Sequence, residues 1–272
     1  MIDILMATYN GSKYIQEQLN SILEQTYSNW NLIIRDDGSS DNTIEIIKKY
    51  IEKYPLKIKL IEDNYKNIGI TMNFSKLVEY STSNYIMFCD QDDVWKKNKI
   101  EKTFSQMKNL ENKVNIAMPL LVFSDLTTVD NKLNIINESF WKSQKINPEI
   151  SKNLYQVLAQ NVVTGCTIMI NKKSKEQFFP ISTKNILHDH WLVVNICKYG
   201  KIAYINESLI YYRQHSTNKL GELKIGFKYF FYQIIKIFKN LNLYKDKYNN
   251  FSFKVNFFKI IYYKIYLNLK RL

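Results

Sequence analysis

"IDILMATYNGSKYIQEQLNSILEQTYSNWNLIIRDDGSSDNT", residues 2–43, changes its hydrophobic period twice. Its first residues are a short apolar run of strand type. Ile15, Leu19, Ile22 and Leu23 then recur at helical spacing, and "WNLIIRDD" returns to strand. "DDGSSDNT" closes the unit with a turn and a helix cap, Asp41 or Ser40. The pattern repeats: "TIEIIKKYIEKY" aligns Ile44, Ile47 and Ile51 on one helical face, "LKIKLIED" is a third strand, "TMNFSKLVEYS" a third helix and "NYIMFCDQDD" a fourth strand. Such alternation predicts an α/β fold with parallel pairing, right-handed crossovers and helices flanking a mainly parallel sheet.

Ligands of open α/β sheets collect beyond the C-terminal ends of the strands. Three polar clusters are expected on that rim: Thr8, Tyr9 and Asn10 after the first strand, Asp36 and Asp37 after the second, and Asp90 to Asp93 after the fourth. The last belongs to "MFCDQDDVW", residues 87–95, where three carboxylates share four positions and raise one another's pKa. Clustered carboxylates are the hard oxygen ligands that Mg²⁺ or Mn²⁺ prefer. A solvated acidic turn is the bland alternative, but Phe88, Cys89, Val94 and Trp95 flank the cluster and favour an enclosed site. No GxGxxG follows the first strand and no GxxxxGK[ST] occurs, so the main signatures of dinucleotide oxidoreductases and P-loop enzymes are missing.

The chain has 272 residues, of which 46% are hydrophobic and 23% charged; with only seven Gly and four Pro it reads as globular and not as a linker or repeat protein. Cys89, Cys166 and Cys197 are an odd, scattered set inside apolar segments, which fits buried reduced thiols. No stretch approaches the ~18 uncharged apolar residues of a membrane span, and no basic leader precedes the first strand, so a cytoplasmic protein is expected. The second half is less regular. "IAMPLLVFSDLTTVD" reads as a strand or pair turning at Asp130-Asn131, residues 153–180 as helix, Gly turn, strand and helix, "HDHWLVVNICKYG" as a helix, and "KIAYINESLIYYRQHSTN" as a strand pair.

Residues 7–43 followed by "FCDQDDVW" closely resemble the family 2 glycosyltransferases, and the likeness continues in order through "VVTGCTIMIN", "HDHWL" and "YYRQHSTN" as in the rhamnosyltransferase-like branch. The family has a GT-A type, Rossmann-like nucleotide-binding domain and takes sugars from nucleoside diphosphates. The resemblance implies that Tyr9 stacks on a nucleobase with Thr8 and Asn10 beside it, and that Asp36 or Asp37 meets the base or ribose. Asp90 would face the nucleotide and Asp92, within the DXD-type motif, would bind Mg²⁺ or Mn²⁺, with Asp93 assisting. His215 matches a position that completes metal or diphosphate contacts. Asp189 sits where the family places its catalytic base, so that one displacement inverts the anomeric centre. The family often carries two acidic residues there, whereas this chain has His188 before Asp189.

Further candidates stay open between ligand and structural roles: Trp95, Trp191, His188, His190 and Gly165 at the sugar pocket, Arg213 on phosphate, and Asp125 on the acceptor side. His188 and His190 flanking Asp189 also permit a zinc site. The expected organisation is a donor half, residues 1–125, an acceptor and base half, residues 126–220, and a C-terminal helical extension, residues 221–272. That extension carries eleven Lys or Arg against Glu222 and Asp246, within a net charge of +13. Lys224, Lys228, Lys236 and Lys239 share one helical arc, as suits an anionic membrane surface through 221–250 or a helix packed on the body; no recognition motif accompanies them, which disfavours nucleic acid. The expected function is transfer from dTDP-rhamnose or a UDP-hexose to a glycan or lipid-linked glycan of a surface polysaccharide, at the inner face of the membrane. A divalent-metal nucleotidyltransferase and a non-catalytic nucleotide-sugar or glycan-binding protein are the rivals.

Overall fold

The structure is a computed structural model that describes residues 1–114, 118–215 and 248–271. Its first part follows the predicted alternation: β1 (Ile2–Thr8), α1 (Ile15–Leu23), β2 (Trp30–Asp36), α2 (Thr43–Lys53), β3 (Ile58–Ile61), α3 (Ile70–Tyr80) and β4 (Tyr85–Cys89). All seven residues of β1 are buried, because a central parallel strand is covered on both faces. Its side chains alternate between two cores. Ile2, Ile4 and Met6 pack with α1 and α2, whereas Leu5 and Ala7 pack with α3. The cap of α2, expected at Asp41 or Ser40, falls at Asn42, and Asp41 one residue earlier accepts the Thr43 N–H with Oδ1 at 3.0 Å.

The chain continues through β5 (Val94–Trp95), α4 (Lys99–Lys113), β6 (Leu120–Val129), β7 (Ile135–Asn137), α5 (Phe140–Ser143), α6 (Leu154–Ala159), β8 (Met169–Asn171), α7 (Lys172–Phe178), α8 (His188–Tyr199), β9 (Lys201–Arg213) and α9 (Phe257–Lys270). The sheet order is β3-β2-β1-β4-β8-β6-β9-β5, with β7 beside β6. Pairing is parallel from β3 to β4 and again between β6 and β9; β8 and β5 run antiparallel to their neighbours. The chain lays β2 and β3 on one side of β1 and β4 on the other. That reversal opens a crevice beside the ends of β1 and β4, where a ligand site is expected in such sheets.

One expectation is corrected here, and one helix is added. "KIAYINESLIYYR" forms one long strand, because its register shift against β6 is absorbed by irregularities around Asp125 and not by a turn. Helix α4 was not foreseen, although Ile100, Phe104, Met107 and Leu110 recur at helical spacing and pack on the β1 face shared with α1. The basic arc of the extension falls, up to residue 247, outside the described residues.

Gly200 ends α8 where the backbone crowds the start of β6. A Cβ there would lie 1.9 Å from the Pro119 carbonyl oxygen, the atom that accepts the Lys201 N–H at 3.0 Å. We expect Gly200→Ala to destabilise the fold by at least ~2 kcal/mol in chemical denaturation, through overpacking against backbone that cannot swing away.

Candidate active site

The ends of β1, β2 and β4 and the start of α8 enclose a cleft of about 710 Å³. Its lining includes Thr8, Tyr9, Asp37, Asp90, Asp92, Gly165, His188 and Asp189, all expected from the sequence. Thr8 is the last residue of β1 and donates to Asp36 Oδ2 at 2.7 Å. Tyr9, half exposed at the cleft mouth, is clamped by Gln91: the Tyr9 N–H donates to Gln91 Oε1 at 2.9 Å and Gln91 Nε2 donates to the Tyr9 carbonyl at 3.0 Å. Gly11 makes room for this clamp, since a Cβ there would sit 2.2 Å from Gln91 Oε1.

Asp37, not Asp36, faces the cleft. Its carboxylate accepts the Ile68 and Gly69 N–H groups at 3.0 and 2.8 Å and thereby wraps the 67–69 turn around the cleft wall. Arg35 holds it from behind. This fully buried guanidinium donates to Asp37 Oδ1 at 3.3 Å and to Asn73 Oδ1 at 3.1 Å, and it makes two bonds to Asp63 at 2.8 and 2.9 Å. Asp36 and Asn10, expected on the nucleotide, spend their side chains on the loop instead. Asp36 accepts from Thr8, Gly38 and Ser39, and Asn10 Oδ1 accepts the Ser40 N–H at 2.8 Å.

The acidic loop after β4 is held by backbone more than by opposite charge. Asp93 is fully buried, with Oδ1 accepting the Arg213 N–H at 3.2 Å and the Cys166 thiol beside the carboxylate. Lys99 is also fully buried, its ammonium 3.9 Å from the centre of the Trp95 ring. Burial lowers its pKa to about 8, with the neighbouring thiols and Asp93 opposing. Burial also raises Asp93, and the charges of Asp92 and Asp90 add to it. Asp90 is pushed up to about 7 by desolvation first, then by Asp92 and Asp189. Ligand atoms of Asp90, Asp93 and Cys166 lie within 4.8 Å of one another. His215 Nε2 lies 2.9 Å from Asp92 Oδ2, and its ring stacks on Tyr14 at 5.0 Å.

Asp189 lies in the first turn of α8, with Oδ1 accepting the His190 N–H at 2.5 Å. His188 lies between Phe74 and Phe88, ring centroids 4.2 and 5.5 Å away. Gly165 permits this contact, because a Cβ there would lie 2.7 Å from His188 Nε2.

Several pocket candidates are corrected. Trp95 packs in the core under Lys99. Trp191 faces away from the cleft, its indole donating to the Phe178 carbonyl at 2.9 Å and stacking on Phe251. The ring of His190 meets the Val157 carbonyl at 2.9 Å, so it and His188 diverge and form no zinc pair. Arg213 bonds the Asp92 carbonyl at 2.9 Å, the Asn131 carbonyl at 2.8 Å and Glu17 at 2.7 Å, the structural alternative for this residue. Asp125 is buried and caps the turn into α5 through Ser139 and the Trp141 N–H. Conversely, Asn67, Gly69, Ile70, Asn73, Gln91 and Tyr212 line the cleft without having been foreseen. Of these, "NIG" at 67–69 carried a turn signal, and both Asn67 and Gly69 take positive φ.

A cleft of this size at the switch point of a mainly parallel sheet is where such folds take a nucleotide-type ligand. The sequence matches Glycosyl transferase family 2 over residues 3–178, and the chain belongs to that family. It is 32% identical over 235 residues to the dTDP-rhamnosyl transferase RfbG of Shigella flexneri, covering 82% of this chain and 75% of that protein. It is 31% identical over 232 residues to the UDP-Glc:alpha-D-GlcNAc-diphosphoundecaprenol beta-1,3-glucosyltransferase WfgD of Escherichia coli, covering 82% and 83%. The fold matches the mannosyltransferase PcManGT of Pyrobaculum calidifontis, solved with GDP-Man and Mn²⁺, with a TM-score of 0.64 at 15% identity over 99% of this chain and 70% of that one. It also matches S. aureus TarS in complex with UDP-GlcNAc, TM-score 0.60 at 15% identity over 99% and 72%. The nucleotidyltransferase and binding-protein rivals give way to this membership.

Burial lowers the His188 pKa from 6.5 to about 3. Between those values the unfolded chain takes up a proton that the folded chain refuses, so acid destabilises the fold across that window. His188→Leu should flatten the slope of unfolding free energy against pH there by up to about one proton; an unchanged slope would place the buried proton-refusing group elsewhere.

Proposed function

We propose that the protein is a divalent-metal-dependent, inverting transferase that moves a sugar from dTDP-rhamnose or a UDP-hexose to a glycan or lipid-linked glycan. One observation carries this reading. The cleft presents Asp37, Asp90, Asp92 and Asp189 and, among the described residues, no Lys or Arg side chain lines it. Among the described residues the carboxylates of this lining outnumber any cationic side chain facing it, so a diphosphate entering the cleft is favoured by a cation that comes with it.

The residues present fit a hard divalent ion. Asp90 and Asp92 supply carboxylate oxygens at the cleft floor, and the His215 imidazole already reaches Asp92. Burial raises the Asp90 pKa, the charges of Asp92 and Asp189 add to it, and a bound cation would favour the ionised carboxylate. Bound there, Mg²⁺ or Mn²⁺ would neutralise the charge of the departing nucleoside diphosphate. The chain itself does the rest. Tyr9, fixed by Gln91, offers a ring at the mouth for the base, and Asp37, braced by Arg35, offers acceptors along the wall for base or ribose. Asp189, on the opposite wall, takes the proton of the acceptor hydroxyl as its oxygen bonds the anomeric carbon and the diphosphate leaves. With one displacement and no nucleophilic side chain, the anomeric configuration inverts.

In this reading residues 1–125 form the donor half and 126–220 the acceptor and base half. The names of RfbG and WfgD support the donor classes, and the diphosphoundecaprenol in that of WfgD supports a lipid-linked acceptor; with such an acceptor the reaction would serve surface polysaccharide synthesis at the inner face of the membrane. No helix among the described residues is long and apolar enough to cross a membrane.

Asp189→Asn keeps the shape of the wall and removes the base. We expect kcat to fall by about 10²–10⁴ with donor affinity retained, and NMR of the wild-type product to show inverted anomeric configuration. Full turnover by the variant, or a retained configuration, contradicts the mechanism.

A further inference from the structure

Helix α9 has two faces of opposite use. Ile260 and Leu267 are buried, and buried Arg271 donates from Nε to the Gln144 carbonyl at 2.9 Å, fastening the helix to the body. It lies along α6, where Tyr263 stacks on Tyr155. Phe258, Tyr262, Ile265 and Leu269 follow at i, i+4, i+7 and i+11 on the other face, one apolar stripe. Phe258 is 82% exposed, Tyr262 61% and Leu269 50%, with Ile265 half-buried. Large aromatic and aliphatic groups aligned in water on an otherwise well-packed body mark a contact surface.

Charge identifies the partner. Residues 251–271 contain Lys254, Lys259, Lys264, Lys270 and Arg271 and no Asp or Glu. Lys254, Lys259 and Lys270 are exposed beside the stripe. The segment 221–247 that leads to the helix adds six lysines against Glu222 and Asp246. A second copy meeting this face would set lysine against lysine. A nucleic acid would satisfy the lysines but offer no apolar medium for Phe258 and Leu269. An anionic bilayer supplies both, with acyl chains for the stripe and phosphate headgroups for lysines that lie along it.

We infer that α9 is an interfacial helix that seats the enzyme on an anionic lipid surface, with Phe258, Tyr262 and Leu269 inserted and Lys254, Lys259 and Lys270 at headgroup level. The helix it rests on, α6, leads directly into the Thr164–Gly165 wall of the cleft. The surface thus presents the acceptor side of the enzyme to lipid. The inference concerns adhesion and stands apart from donor chemistry.

The test is co-sedimentation of the full chain with phosphatidylcholine vesicles, with and without phosphatidylglycerol, at low and high salt. The wild type should pellet with the anionic vesicles only, and less at high salt. Phe258→Ser/Tyr262→Ser/Leu269→Ser should partition on the order of a hundred-fold more weakly, with unchanged melting temperature and unchanged donor binding. Lys259→Gln/Lys270→Gln should weaken the preference for anionic vesicles, which keeps the inference testable should the triple variant not fold. Equal pelleting of wild type and folded triple variant, or no preference for anionic lipid, would overturn it. So would a wild-type dimer that the triple substitution dissolves in the absence of any vesicle binding.

Discussion

Three carboxylates at the end of β4 must be held together against their own repulsion, and the rest of the site follows from how that is done. The cations nearest them do not neutralise the pair at the cleft floor. Arg213 spends its guanidinium on the carbonyls of Asp92 and Asn131 and on Glu17, tying the end of β9 to the loop. Lys99 lies buried below, against the face of Trp95. Neither cation bonds a side-chain oxygen of Asp90 or Asp92, both of which line the cleft. A buried carboxylate without a counter-charge is strongly disfavoured in its ionised form, which is why burial, with Asp92 and Asp189 adding to it, raises Asp90.

The same economy runs through the cleft wall formed by Tyr9 and Asp37. Asp37 is aimed by Arg35, which is itself held by Asp63 and Asn73, so its acceptors are oriented before any ligand arrives. Tyr9 is fixed through its backbone by Gln91, the residue between the first two aspartates of the motif. The acidic loop and the segment after β1 are thus one mechanical unit, and glycine at position 11 is what allows them to touch. Positioning by buried polar bonds of this kind limits the reorganisation needed on binding.

How much of this was legible in the sequence depended on whether the signal was local. The parallel half announced itself, because central strands read as continuous apolar runs and helices as a 3.6 period. The acidic loop and Asp189 were visible as motifs. The placement of Trp95, Trp191 and His190 was not, since an aromatic or His side chain beside a motif points into the site or into the core according to its helical phase and the register of distant strands. Trp191 lies two residues beyond Asp189 on α8, which turns it to the opposite side of the helix. Arg35 and Gln91 were overlooked because their partners, Asp63 and Tyr9, are distant in sequence and meet only when β2 pairs with β3 and β1 with β4. Asp36 and Asp37 were indistinguishable as a dipeptide; strand alternation sends one into the turn and the other to the cleft.

The central claim is that the carboxylate-lined cleft admits a nucleoside diphosphate only together with a divalent cation. Calorimetric titration of the wild type with UDP, dTDP and GDP, each in Mg²⁺, Mn²⁺ or EDTA, tests it most directly. The account predicts tight binding of one nucleotide in the presence of metal, lost in EDTA and lost in Asp92→Ala. Equal affinity in EDTA, with the protein folded, would contradict it and show that the cleft handles the diphosphate's charge by some other means.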